Sequence, residues 1–427
     1  MASSKLAVLD SLVSPYYVGR ILPLMLKLGS ERIDFYCSLA FVEKYPAHIQ
    51  QIKHAGIKII TDDYDSAFRT HDYFLGDSAW KGQSIVKTNK FYVPEQAIQW
   101  QRFKQINPRA KFIWVRYVSG HMFDQSAFDG NDLVLLPSDI MLLNFIKAGK
   151  FIVDNHGLVE IGKSPNETEA VVGGLFHVSE ETLQLKKRAR AELKFELSDK
   201  LKVKFDMSLP LAVFMVNHFD DVPAADRGLA RLAQRANVLI KVFPGNDNPK
   251  NENSERYSRA ANPNIFYTDD ESVSFLMRYA ADANLLHFYS GGFTTSVMLG
   301  MRTIPVHTQR LKAQIPPEFF NYNFLLRNTG GLSIRIMHNL GPLNIESTDM
   351  LLDRINDEAY WERYEKEIPL VQSAHFGNYY IGDQAVDRCV FYIKRVLEHG
   401  SFAPQSLKDH RVLPGPATLN SNCRVML

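Results

Sequence analysis

Cysteine is scarce in this sequence: Cys37, Cys389 and Cys423 are the only three among 427 residues. They stand far apart, are odd in number and lack metal-ligand spacing. That excludes a disulfide framework and a zinc ribbon, and favours a reducing compartment. Charge of one sign is lacking too. The formal net charge is +2, so no field over the whole chain argues for nucleic acid as partner. Long apolar runs are also missing. Leu6–Asp10, close behind Met1, is too short for a signal peptide, and no continuous apolar run approaches the ~20 residues that span a bilayer. A cytoplasmic chain, at most peripheral at the inner membrane face, is therefore expected. Without a secretory signal, the sequon Asn166-Glu167-Thr168 carries no weight. There is no internal repeat and no low-complexity tract, which excludes solenoid and propeller architectures.

What is present has an ordinary globular balance, with 45% hydrophobic and 22% charged residues, and the length suits two domains. Short apolar runs alternate with longer amphipathic ones, the pattern of parallel sheets covered on both faces. In the first half the runs Leu6–Asp10, Ile33–Cys37, Ile57–Thr61, Tyr73–Gly76, Lys111–Tyr117 and Asp132–Leu136 read as strands. Tyr17–Leu28 reads as a helix, with Ile21, Leu22, Met25 and Leu26 at helical spacing. Val171–Leu175 ends this half, and Glu180–Lys204 reads as a helix plus an exposed connection.

A second series follows, with strands at Leu211–Asn217, Val238–Phe243, Ile265–Thr268, Asn284–Tyr289 and Thr303–His307. Its helices are expected at Ala224–Ala236, Glu271–Ala281, Thr294–Gly300, Asp349–Ile368 and Asp383–Glu398. The expected architecture is α/β, with two Rossmann-like domains facing each other across a cleft. The boundaries are 1–178 for an acceptor domain, 179–375 for a nucleotide-donor domain, 376–400 for a helix crossing back to the first, and 401–427 for a loosely ordered tail. Ligands in such sheets bind outside the carboxyl ends of the strands, so chemistry-bearing residues just after strands count most.

The segment Asn284–Val306 reads as strand, small-residue turn, helix, glycine and strand. Ser290, Gly291 and Gly292 let backbone approach a ligand, and Thr294 and Thr295 lie in the first helical turn. Free amides at the positive end of a helix suit a phosphate; a βα turn that merely packs has the same pattern.

This segment resembles the C-terminal-domain signature of GT-B glycosyltransferases, in particular the branch of CDP-glycerol glycerophosphotransferases, bacterial sialyltransferases and Kdo transferases. There, paired serines bind donor phosphate; here Ser290-Gly291-Gly292 takes their place. Leu239–Gly245 is similar to the branch's strand followed by His-Pro, with Pro244 present but Phe243 at the histidine position. Lys111–Phe123 is similar to the element that ends in a catalytic histidine near glycine, in the order Gly120-His121. Pro137-Ser138 and Val171–Gly174 complete a likeness over about residues 110–310. It implies a metal-independent glycosyltransferase without cofactor, acting on a nucleotide-sugar donor and a glycan or glycolipid acceptor. A CMP-linked acidic sugar such as Kdo or sialic acid is the favoured donor, and a bacterial surface polysaccharide or lipopolysaccharide the product.

Transfer needs a base for the acceptor and cations for the leaving phosphate. His121, with Asp124 nearby, is a candidate base and equally a turn histidine. Glu160, sharing a loop with His156, is a candidate or a solvated acid. His218, Asp220 and Asp221 follow the first strand of the second half, where a carboxylate serves as nucleophile, base or helix cap. Asp10 ends the first strand and Asp77 the fourth; a first-domain carboxylate is the acceptor base in related sialyltransferases, which makes Asp10 a candidate. Arg116 and Lys241 are the cations expected to meet phosphate. Asp63-Tyr64-Asp65 matches the metal-binding Asp-x-Asp of other transferases only as an isolated triplet. Lys186–Arg190 is expected to be a solvated face, and Trp361 with Tyr360 and Tyr364 to be packing. The rival activities are glycerophosphate transfer, nucleotide-sugar 2-epimerisation, and sugar or nucleotide binding without turnover.

Overall fold

The structure, a computed structural model, describes residues 5–9, 18–76, 105–115, 133–138, 162–163, 169–215, 222–242, 262–287, 291–308, 336, 340–377 and 379–400. Two compact units are present. The first takes the described residues up to Ser179 and those from Phe376 onward; the second takes Glu180–His375.

In the first unit the elements run β1 (Leu6–Leu9), α1 (Val18–Leu28), β2 (Ile33–Cys37), α2 (Leu39–Lys44), α3 (Pro46–His54), β3 (Lys58–Thr61), α4 (Tyr64–Thr70), β4 (Tyr73–Gly76), β5 (Lys111–Val115), β6 (Leu133–Leu136), β7 (Gly162–Lys163) and β8 (Glu169–Val172). They form one sheet in the order β3-β2-β1-β4-β5-β6-β8-β7, parallel except for β7. Runs such as Leu6–Leu9 and Leu133–Leu136 are buried along their whole length, as strands covered on both faces must be. Local chemistry sets the short helices. The Ser38 hydroxyl accepts the Phe41 amide to cap α2, and Pro46 opens α3 at a position that needs no amide donor. The Asp63 carboxylate accepts the Ser66 amide and caps α4, with Asp65 in its first turn. The Asp-x-Asp triplet is thus a helix start.

The second unit contains α5 (Glu180–Leu185), α6 (Arg190–Leu201), β9 (Leu211–Met215), α7 (Val222–Leu232), β10 (Asn237–Lys241), β11 (Ile265–Thr268), α8 (Ser274–Ala280), β12 (Ala283–Leu286), α9 (Gly291–Met298), β13 (Thr303–His307), β14 (Leu343–Asn344), α10 (Thr348–Asn356) and α11 (Glu358–Phe376). Its sheet is parallel throughout, in the order β11-β10-β9-β12-β13-β14. The stretch expected as one helix over Asp349–Ile368 is two. Asp357 leaves the helical path, and its carboxylate accepts the Tyr360 amide to start α11. Likewise Lys186–Arg190 is not one helix face but the junction of α5 and α6. There Arg188 pairs with Glu196 at 2.7 Å, and Arg190 lies 3.9 Å from both Asp282 and Glu365. Trp361 is fully buried, donates to the Ile355 carbonyl and lies under the Arg302 guanidinium.

The chain then re-enters the first unit. Leu175 donates to the Tyr380 carbonyl and bridges Ile381, and α12 (Asp383–His399) packs along α1. Ala385, Cys389, Ile393 and Val396 of α12 sit in the same apolar cluster as Leu6, Phe35 and Trp114. Gly173 and Gly174 make this junction possible. Both amides donate to the Leu136 carbonyl, and Gly174 has φ +97° with Tyr380 directly where a side chain would stand.

Candidate functional site

The two sheets share one arrangement: the third, second, first, fourth, fifth and sixth strands lie side by side in that order. In such a sheet the chain reverses its winding direction between the first strand and the fourth. The loops leaving those two strands diverge and open a crevice at their carboxyl ends. In the first unit these strands are β1 and β4, so Asp10 and Asp77 follow the pair in sequence. In the second unit they are β9 and β12, paired with Asn284 opposite Val213 and Leu285 opposite Phe214.

The descent from β12 into α9 is built with care. At its far end α9 closes in a Schellman turn: the Met301 amide donates to the Ser296 carbonyl and the Gly300 amide to Val297, with Gly300 at φ +67°. The Gln372 amide, from α11, donates to the Val297 and Met298 carbonyls. Arg278, buried on α8, fixes the near end. Its guanidinium donates to the Gly292 carbonyl at 3.5 Å, and also to the Ser274 carbonyl at 3.1 Å and the Ser296 hydroxyl at 3.2 Å, and stacks on Phe275. Phe293, Thr294 and Thr295 are buried, and Gly292 is half-buried. Both ends of α9 are therefore held by side chains of neighbouring helices.

Asn284 anchors β12 beneath. Its side-chain amide donates to the Arg278 carbonyl at 2.9 Å and the Arg302 carbonyl at 2.8 Å, and its Oδ1 is buried without a hydrogen-bond partner. Sequence pattern concealed these three polar residues, because their partners are carbonyls and hydroxyls of distant elements.

Lys241 ends β10, with its Cα paired to Met215 of β9. Its ammonium lies 2.7 Å from the Glu271 carboxylate and donates to the Val242 carbonyl at 2.8 Å and the Asp269 carbonyl at 3.2 Å. Those three acceptors match its three hydrogens, and the side chain is only 2% exposed. A phosphate would reach Lys241 only by displacing Glu271. The arrangement instead clamps the loop between β11 and α8 onto β10. Glu271→Gln is expected to lower stability by ~2–3 kcal/mol, below the 3–5 kcal/mol of a fully buried pair because Glu271 is over a quarter exposed. Urea titration with an unchanged m-value would check it, and a loss under 1 kcal/mol would show the clamp to be idle.

Asp10, Arg116, His121, Glu160, His218, Asp220 and Ser290 lie outside the described residues. Among the described residues no group of three or more His, Cys, Asp and Glu side chains is arranged to hold a metal ion, and no helix is long and apolar enough to cross a membrane.

No protein-family model matches this sequence, and no curated protein matches it. Solved structures do. The Anabaena protein HepE, in complex with UDP-glucose, superposes with a TM-score of 0.52 at 10% identity, over 90% of this chain and 98% of its own. A putative UDP-N-acetylglucosamine 2-epimerase from Listeria monocytogenes gives 0.50 at 11% identity, over 93% of this chain and 97% of its own. The fold is of the GT-B type. Both likenesses run over most of the length of each chain.

Proposed function

We propose that this GT-B chain is a glycosyltransferase that moves a sugar from a nucleotide-activated donor to a glycan or glycolipid acceptor. The observation that carries the reading is the placement of α9. Its amino end emerges at the carboxyl side of β12, beside the β9–β12 reversal, where the positive end of the helix dipole suits an anion. A donor phosphate held there becomes a better leaving group without a metal, because the dipole neutralises the charge that develops on it. Ser290, Gly291 and Gly292 would let the phosphate approach, and Asp220 and His218 follow β9 on the other side of the reversal. Asp10, Glu160 and His121 are the proposed first-unit groups for taking the acceptor proton, and Arg116 a cation for an acidic sugar. The sequence resemblance supports a CMP-linked acidic sugar and a bacterial surface glycan; UDP-glucose in HepE makes a UDP-sugar the next donor to try.

The test is a calorimetric panel of CMP, CDP, UDP, GDP and their sugars against the full chain and Gly292→Asp. A carboxylate at the amino end of α9 suits the helix dipole, so the fold should hold or gain a few tenths of a kcal/mol. The same carboxylate occupies the anion's place, so nucleotide affinity should fall by roughly tenfold or more. Full-strength binding by Gly292→Asp, or a wild-type chain that binds none of the panel, would overturn the reading. The epimerase rival, favoured by the Listeria likeness, is decided by incubation with donor alone: isomer without acceptor would replace transfer as the conclusion.

A further inference from the structure

A second polar constellation lies in the first unit, on the amino-terminal side of its strands. Asp34, the second residue of β2, and His71, between α4 and β4, are 7% and 6% exposed. The His71 Nε2 lies 3.2 Å from the Asp34 Oδ2, and the ammonium of Lys5, just before β1, is 3.1 Å from Oδ1. The other ring nitrogen, Nδ1, is 2.9 Å from the Thr70 hydroxyl, which is itself 2.6 Å from the Ser66 carbonyl one turn back in α4. Tyr36 of β2 and Phe74 of β4 close the ring in edge-on. The Asp72 carboxylate is turned to Asn107, whose amide also holds the His71 carbonyl.

Counting hydrogens exposes a conflict. Asp34, paired with Lys5, accepts only, so Nε2 must carry a hydrogen. The Thr70 hydroxyl has one hydrogen; while it serves Ser66, Nδ1 must carry one as well. Both demands are met only by an imidazolium. A neutral ring keeps Nε2–H on Asp34 and leaves Nδ1 bare, 2.9 Å from the Thr70 hydroxyl; the Ala67 carbonyl, also in reach of the ring, can only accept, and the Tyr36 hydroxyl bonds to Thr70 and Ser66.

We propose that His71 works a proton-operated latch on the last turn of α4. With the ring protonated by solvent, Thr70 donates to the Ser66 carbonyl and ties the helix end. With the ring neutral, the hydroxyl hydrogen swings to Nδ1, and Ser66 gives up that bond. Heavy atoms need not move, since both contacts already lie within bonding distance. Burial of the ring favours its neutral form, against the opposing pull of Asp34. Because the folded value lies below the ordinary 6.5, the contribution to stability is whole above 6.5 and is lost as pH falls through the folded value.

The test uses the full chain with labelled histidine, threonine and serine, followed by NMR from pH 8 to 5, with His71→Gln to assign the ring. Above its midpoint His71 should be the Nε2–H form, and the Ser66 carbonyl carbon should shift with the same midpoint. Thr70→Val should lower that midpoint by about one pH unit, the loss of one charge-assisted hydrogen bond, and Thr70→Ser should restore it. Thr70 is exposed, so neither variant disturbs the core. An Nδ1–H ring above the midpoint, a Ser66 carbonyl blind to the titration, or an unmoved midpoint in Thr70→Val would each overturn the latch.

Discussion

Gly174→Ala is expected to destabilise the first unit by roughly 3–5 kcal/mol, combining the strain of a side chain at positive φ with an overpacked contact. The new methyl would stand 2.5 Å from the Tyr380 carbonyl oxygen, 2.8 Å from the Tyr380 Cβ and 3.0 Å from the Ala385 Cβ, on a backbone at φ +97°. The contacts are one carbonyl oxygen and two Cβ atoms, none of which a rotamer change can move. Two other glycines separate the causes. Gly29 has φ +83° but nothing within 4 Å, so its alanine variant should cost only about 1 kcal/mol. Gly173 lacks the positive φ, and its methyl would meet the Cys389 sulfur at 2.6 Å. Its alanine variant should therefore be partly rescued by Cys389→Ala, which removes the obstructing atom. Guanidinium unfolding of the four variants decides this. A Gly174→Ala midpoint equal to that of Gly29→Ala would show that the Tyr380 contact gives way without cost.

Asn284→Asp should be as damaging in the second unit, by roughly 3–5 kcal/mol near neutral pH, because a nearly isosteric change leaves a buried charge unpaired. The amide now gives one hydrogen to Arg278 and one to Arg302 from a fully buried position. A carboxylate gives none and sets a negative charge against two carbonyls. Burial would raise its folded pKa above the unfolded value of about 3.9. The penalty therefore grows as pH rises above the unfolded value and is partly relieved at acid pH, where a protonated acid donates to one of the two carbonyls. Thermal unfolding of wild type and variant at pH 5 and pH 8 gives the sign. A gap that does not widen with pH would mean that the acid stays neutral or that water reaches the site.

The sequence disclosed the sheet strands far better than the short helices. Ile33–Cys37, Tyr73–Gly76, Ile265–Thr268 and Thr303–His307 are strands over the same residues in sequence pattern and structure, because short runs of β-branched and aromatic residues mark buried strands and the half-exposed edge strand Ile265–Thr268 alike. The helices α2, α3 and α4 span six, nine and seven residues, and α3 buries only Ile49 and Ile52, too few for a helical period to stand out. Capping by Ser38, Asp63 and Asp357 sets helix starts that periodicity alone blurs. Of the candidate site, the helix after β12 was legible from its glycines. The groups that fix it, Arg278, Asn284 and Gln372, were not, since each is a lone polar residue whose partner lies on another element. Lys241 shows what sequence leaves out. A lysine at a strand end reads as a phosphate ligand, and its ion pair with Glu271, an element away, is visible only in the fold.

The return of α12 has a consequence for how this protein is born. Arg388 on that helix donates to the Val172 carbonyl, 216 positions earlier, and Cys389 beside it fills the space against Gly173. A ribosome finishes the amino-terminal lobe's sheet long before it makes the helix that seals it. The nascent sheet must therefore wait, one apolar flank uncovered, while the other lobe is synthesised. Chaperone demand during translation should peak in that interval and end when the last helix clears the exit tunnel.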